Sequence, residues 1–281
     1  MKNKRQYWTI KPLKSPVNLD MGAIFSHRYL LLKLVQREIR AQYHQTLLGP
    51  IWFILQPILS TLIFTFSFGK LAGIPTNNIP PFLFYLSGIV MWTFFAESIN
   101  KTANIFKDNA KVFSKFYFPR VLVPLATIGS LLLRFAIQLS VLCLLSFLYH
   151  LKGYPIQLRM HLLVLPILLT NAAALGLGIG LIVSSITIRY RDFSFLVAFG
   201  IQLMMYVSPV IFPQSATPKK LLIFIKLNPI STLLEHFRYA WFGKGNHDMN
   251  SLLYTTTFAV IILLSGLVVF KKAQQNFIDY F

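Results

Sequence analysis

The chain has 281 residues, 55% apolar and 12% charged, and its 27 Lys and Arg against 8 Asp and Glu give a net charge of +19. Ordinary soluble domains carry about 45–50% apolar and about 25% charged residues, so this composition excludes a simple water-facing globule. A nucleic-acid binder gathers its basic residues on one wet surface; here they flank apolar stretches, as in membrane proteins, and no nucleic-acid partner is expected.

Residues 1–26 are basic and Pro-containing, without the apolar core or small-residue cleavage site of a signal peptide, which predicts a cytoplasmic N-terminal segment. Over 27–48 the spacing is helical: Leu32, Val35, Ile39 and Tyr43 fall on one face, Lys33, Arg37, Arg40 and His44 on another. This describes an amphipathic helix lying along the inner membrane surface, and anchoring on anionic lipid alone would account for it.

Windows of about twenty residues predict six spans, over 51–68, 82–99, 121–149, 162–188, 195–212 and 252–270. The expected fold class is therefore an all-α integral membrane protein, with the six-span unit over 49–281. Eighteen of the basic residues fall on the side of the N-terminus and eight on the other, which predicts that both termini are cytoplasmic.

Between the second and third spans, the cytoplasmic segment 100–120 mixes apolar Ile105, Phe106, Val112 and Phe113 with Lys107, Asp108, Lys111 and Lys115. A short amphipathic helix of this kind can seat apolar knobs in a partner's groove, and lipid-surface binding by its lysines is the alternative. Arg134 interrupts the third span, and an intramembrane ionisable residue is a functional candidate by default. It is expected to meet a lipid-linked diphosphate or a buried carboxylate, or to reach a headgroup if the long span tilts. Cys143, the single cysteine, allows no intrachain disulfide and reads as a small core residue.

Gly176 and Gly180 form a G-x-x-x-G step suited to close helix packing. Arg191 and Asp192, in the tight inner turn after span four, can bridge to the surface helix or a partner, or simply snorkel. Pro209 and Pro213 remove backbone donors near the outer end of span five and should break it, allowing a gate. The segment 214–250 holds two apolar runs around Asn228-Pro229, each too short to span. Short re-entrant helices between spans five and six are the reading adopted, and helices lying on the outer surface are the alternative. Glu235 and Arg238, three apart in the second run, can pair locally.

The run Arg37-Glu38-Ile39-Arg40-Ala41-Gln42-Tyr43-His44-Gln45-Thr46-Leu47-Leu48-Gly49-Pro50-Ile51-Trp52 resembles the approach to the first span in permease subunits of type-2 ABC exporters, in the branch that exports O-antigen, teichoic acid and related polysaccharides. Gln56-Pro57, Phe68-Gly69-Lys70-Leu71-Ala72-Gly73-Ile74, Phe116-Tyr117-Phe118-Pro119-Arg120, Arg189-Tyr190-Arg191-Asp192, Ser208-Pro209-Val210 and Leu227-Asn228-Pro229 follow in the family's order, covering roughly 30–243. The resemblance implies a half-transporter in the cytoplasmic membrane that pairs with a second copy of itself and with two separate ATP-binding cassette subunits. The chain has no G-x-x-x-x-G-K-[ST] loop, so it is expected to be a permease without a catalytic site, cofactor or metal of its own. The residues assigned to ATPase coupling are Arg37, Glu38 and Arg40 on the surface helix, with Ile105, Phe106, Asp108, Val112, Lys115, Arg191 and Asp192 on the inner loops.

A polysaccharide hydroxyl placed in hydrocarbon without a partner costs about 4–8 kcal/mol, so a lipid-linked glycan needs a conduit. Aromatic faces suit the C–H face of a pyranose, and Trp52, Phe53, Phe64 and Phe68 on span one with Phe199 and Tyr206 on span five are the pathway candidates; lipid-facing or interfacial packing is the ordinary role of such rings. Pro209, Pro213, Asn228, Pro229, Glu235 and Arg238 make up the expected outer gate, with Arg134 the buried charge or headgroup candidate. Two other functions stay open at this point. One is a type-2 ABC exporter of drugs or small lipids, the other a membrane-embedded glycan-modifying enzyme, for which the scattered histidines and acids offer no convergent site.

Overall fold

The computed structural model describes residues 21–43, 46–115, 118–154, 163–190, 192–245 and 248–275, and among them every regular element is helical. Apolar backbone in lipid must satisfy its own N–H and C=O groups, which helices do within a single segment. Two short helices come first: α1 (Met21–Ser26) and α2 (Arg28–Tyr43). The first long apolar stretch, Gly49–Leu71, combines a 3₁₀ turn, α3 (Trp52–Phe64) and a π-helical turn over Thr65–Leu71. It is followed by α4 (Pro81–Ala103), α5 (Ile105–Asp108), α6 (Ala110–Lys115), α7 (Leu122–Leu151) and α8 (Leu165–Thr187). Then come α9 (Phe193–Val207), α10 (Lys219–Leu227), α11 (Pro229–Phe242) and α12 (Met249–Gln275).

Five of these stretches, of 23 to 30 residues, are long and apolar enough to cross a bilayer. At 1.5 Å per residue they measure about 35–45 Å against a hydrocarbon core of about 30 Å. The sixth, α9, has 15 residues where the sequence predicted a span over 195–212. The backbone turns extended at Ser208 (φ −88°, ψ 154°) and Pro209 supplies no N–H to continue the ladder, so the helix stops at Val207.

At the centre lies α8, held between α4 and α12. Its glycines permit this. A Cβ on Gly176 would lie 2.4 Å from the Ser98 Cβ of α4, and one on Gly180 would lie 2.5 Å from the Thr102 Cβ. On the other face, a Cβ on Gly178 would meet the Ile262 backbone of α12 at 2.7 Å. The helices therefore approach at backbone distance, the use of small residues that lipid-embedded packing favours. Buried hydroxyls return to their own helix: Ser98 donates to Phe94 O, Thr127 to Val123 O and Ser184 to Leu181 O, so no partner helix is needed to satisfy them.

Against α7 lies α2, with Leu34 buried and Val35 Cγ2 3.0 Å from where a Gly129 Cβ would sit. This corrects the expected face. Leu32 is exposed beside Phe25 and Tyr29, because the α7 contact draws in Leu34 together with the expected Val35. Unlike α10, which leaves Ile223, Phe224 and Leu227 exposed, α11 is buried along almost its whole length against α4, α8 and α12. Asn228 caps α11 by accepting from Ile230 N, and Gly243 ends it in the left-handed region at φ 67°.

Candidate functional site

At the end of the bundle where α4 meets α5, Arg37 of α2 turns inward. Its Nη2 donates to Glu38 Oε1 at 3.1 Å and also to Asn109 Oδ1, tying the surface helix to the turn between α5 and α6. Ile105 and Phe106, expected as knobs for a partner, are instead packed inside this chain at 1% and 2% exposure. Phe106 stacks on Phe270 of α12 at 4.9 Å between ring centroids and tilts against Phe113 at 5.7 Å. Their apolar surface is already covered, so among the described side chains of the segment exposed Lys107 and Asp108 and half-buried Val112 are left for contact. Desolvation raises the Asp108 carboxyl above its ordinary 3.8, and Glu38 adds to this while Lys107 and Lys101 oppose it. Arg120 Nη1 donates to Gln274 O at 3.0 Å, closing the same end against α12. Arg40 of α2 and Asp192 are exposed. Arg191 and the side chain of Lys115 lie outside the described residues.

Deeper in the bundle, Arg134 meets a carboxylate. Its Nη1 donates to Glu97 Oε1 of α4, its Nη2 donates to Gln56 Oε1 of α3 at 3.1 Å, and its guanidinium lies 4.8 Å from the Phe53 ring centroid. Gln138 Nε2 donates to Phe53 O at 3.3 Å, so Phe53 is held under the arginine.

The other aromatic candidates separate into two groups. Phe64 and Phe68 lie edge to face at 5.3 Å, and Phe64 meets Tyr85 of α4 at 6.3 Å, so both are engaged within this chain. Trp52, Phe199 and Tyr206 are exposed on the bundle surface at 46%, 60% and 50%.

At the far end, Arg238 is enclosed at 1% exposure. It donates from Nη1 to Pro209 O and from Nη2 to Val210 O at 3.0 Å, and its guanidinium lies 3.7 Å from the Phe84 ring centroid. Glu235 Oε1 stands 3.5 Å from Arg238 Nη1 and accepts from Gln214 N at 3.2 Å. The carbonyls freed where α9 breaks are thus taken up by one buried arginine, as buried backbone polar groups require. Gly88 makes the room, since a Cβ there would lie 2.7 Å from Arg238 Nη2. Asn228 Nδ2 donates to Ser208 Oγ at 3.1 Å, linking the α10–α11 corner to the same break.

The sequence pattern of the ABC-2 type transporter family matches residues 29–242, three-quarters of the chain. The chain belongs to the ABC-2 type transporter family. It is similar to the O-antigen export system permease protein RfbA of Klebsiella pneumoniae, 28% identical over 261 residues that cover 92% of this chain and 96% of that protein. The polysialic acid transport protein KpsM of Escherichia coli is 25% identical over 245 residues, 86% of this chain and 92% of the relative. The capsule polysaccharide export inner-membrane protein CtrC of Neisseria meningitidis serogroup A is 24% identical over 255 residues, 86% and 90%.

In this ABC-2 chain the sequence reading passed over four polar groups that the structure brings to the site: Gln56, Glu97, Lys101 and Asn109. A signal for Glu97 was present. It is an acid inside an apolar span, the natural counterpart of the Arg134 already singled out. Asn109 carried no comparable signal, because an asparagine in a polar loop is unremarkable until the fold sets Arg37 beside it.

Proposed function

We propose that this chain is the transmembrane subunit of an ATP-driven exporter moving a lipid-linked polysaccharide, of the O-antigen or capsule kind, outward across the cytoplasmic membrane. The observation that carries the reading is the near end-to-end similarity to permeases of O-antigen and capsule export, over 86–92% of this chain. Two copies of the chain assemble with two ATP-binding cassette subunits, and ATP is hydrolysed on those subunits.

In this reading the α2 end, richer in Lys and Arg, faces the cytoplasm with both termini, and the α11 end faces outward. Six segments cross, with α9 as a short fifth span. At about 22 Å it does not reach across alone, and the re-entrant pair α10–α11 completes the outer half beside it. The cassette subunits bear on the α5–α6 segment through Lys107, Asp108 and Val112, and on the next inner turn through Arg191 and Asp192. The Arg37–Asn109 bond passes that load to α2.

The conduit lies between the two copies, where Trp52, Phe199 and Tyr206 offer ring faces to sugars without demanding one hydroxyl pattern. Phe53, Phe64 and Phe68 back this wall from within. Removing the penalty of about 4–8 kcal/mol per unpartnered hydroxyl is what such a conduit contributes. The segment pinned by Arg238 and Glu235, with Pro209, Pro213, Asn228 and Pro229, closes it on the outside.

The test is reconstitution of the chain with its cassette ATPase in vesicles. Lipid-linked glycan is expected to stimulate ATP hydrolysis and to become protected from external glycosidase. Stimulation by hydrophobic drugs but not by glycan would overturn the reading.

A further inference from the structure

Resting on the exporter reading, we propose that Lys101, Glu97 and Arg134 form a ladder of alternating charge that passes displacement of the α5–α6 segment to the first span, with Gln56 as its last rung. None of Lys101, Glu97 and Gln56 belongs to the cassette contact or to the sugar-facing wall.

The geometry supplies the upper part. Arg134 of α7 holds Glu97 of α4 through Nη1 and Gln56 of α3 through Nη2, so one guanidinium joins three helices. Beyond this the first span is held by the Gln138–Phe53 O bond and the Phe64–Tyr85 ring contact. Most of its surface is exposed, and only Phe53, Pro57 and Thr61 of α3 are buried, Phe53 by the same arginine.

The lower part lies one turn along α4. Lys101 follows Glu97 at i+4 on the same helix face. Half-buried and without a hydrogen bond or ion pair among the described residues, it lies within electrostatic reach of Glu97 and Arg134 on one side and of Glu38 and Asp108 on the other. Glu38 in turn pairs with Arg37, which holds Asn109 in the coupling segment.

Glu97 can be held in two ways. One of its carboxylate oxygens is buried without a partner, and two cations lie within electrostatic reach. Its Oε1 is on Arg134, while its Oε2 is buried and unpartnered, as is Arg134 Nε. With Lys101 drawn toward Glu38 and Asp108, Glu97 stays on Arg134 and Gln56 holds the first span. When the coupling segment shifts and releases Lys101, the ammonium takes Glu97 Oε2, the Arg134 pair weakens, the guanidinium shifts, and Gln56 of α3 moves with it. Discrete exchange of partners is how packed helices switch between states.

The reconstituted complex with both subunits tests this by comparing ATP hydrolysed with glycan exported. Lys101→Met removes a charge that anchors nothing, so insertion and basal hydrolysis are expected to persist. Glycan exported per ATP is expected to fall about tenfold, within the range of measured coupling effects, and Lys101→Arg is expected to restore it. The paired change Glu97→Gln with Arg134→Gln leaves no unpaired charge and should fold, yet should uncouple in the same way. Wild-type export per ATP in either variant overturns the ladder. So does a loss of export in strict proportion to hydrolysis, which a purely structural role would give. Failure of the wild-type complex to export any glycan counts instead against the exporter reading.

Discussion

Arg238→Met probes how the outer connection is held. The native guanidinium, 2% exposed in its side chain, satisfies Pro209 O and Val210 O and faces Glu235 at 3.5 Å. Truncation strands Glu235, itself 4% exposed, as a buried carboxylate, and breaking one side of a buried pair costs about 3–5 kcal/mol. The two carbonyls left without a donor add about 1–3 kcal/mol, while the apolar replacement keeps part of the contact with Phe84. A net loss of about 4 kcal/mol is expected. Adding Glu235→Gln removes the stranded charge and should return about half of it, leaving chiefly the carbonyl cost. Equilibrium unfolding in mixed detergent measures both variants, and limited proteolysis across 208–218 reports whether the connection loosens first. The reasoning fails if the single variant is within about 1 kcal/mol of wild type, the scale of an ordinary surface change, or if the double variant is no more stable than the single.

Gly176→Val places side-chain atoms where the Ser98 Cβ already stands and should cost about 2 kcal/mol or more through helix separation. Gly200→Ala, with nothing within 4 Å, should be neutral or slightly stabilising, and equal losses in thermal unfolding would contradict this. Replacing Arg28, Lys33 and Arg40 with Gln strips the basic groups from the exposed stripe of α2, which carries Tyr29 and Leu32 and lies next to Phe25 of α1. Native mass spectrometry should then count fewer retained anionic lipids, with about 1 kcal/mol lost per charge. The raised Asp108 pKa means that the folded chain holds this proton more tightly than the unfolded chain. Its contribution is therefore most favourable below 3.8 and is lost as pH rises through the folded value. Asp108→Asn should accordingly gain stability relative to wild type as pH rises past 3.8, and a gap that does not change with pH would refute this.

Hydropathy located the five long crossings because length and apolarity are summed over about twenty residues and tolerate local exceptions. Pro209 was legible for the same reason: its missing N–H acts on the backbone whatever surrounds it. The extent of α11 burial was less legible. The run 230–242 contains Glu235, His236 and Arg238, which lower its apolar signal. In the fold each finds a partner nearby, Thr232 O for His236 and the freed carbonyls for Arg238. A buried polar helix and a surface amphipathic helix therefore look alike until the partners are in place.

The α5–α6 segment is illegible for a different reason. Ile105, Phe106 and Phe113 at helical spacing announce that an apolar face will be covered, and periodicity carries no information about what covers it. Here the cover is Phe270, 164 positions further along the chain, with Arg120 reaching Gln274 beside it. Once those rings are taken up internally, any partner at this end must engage the polar edge left over. That edge includes Asp108, which lies within electrostatic reach of Lys101. If a motor acts on Lys107 and Asp108, it acts close to the charges that reach inward to Arg134, and the force need not pass through the aromatic packing at all.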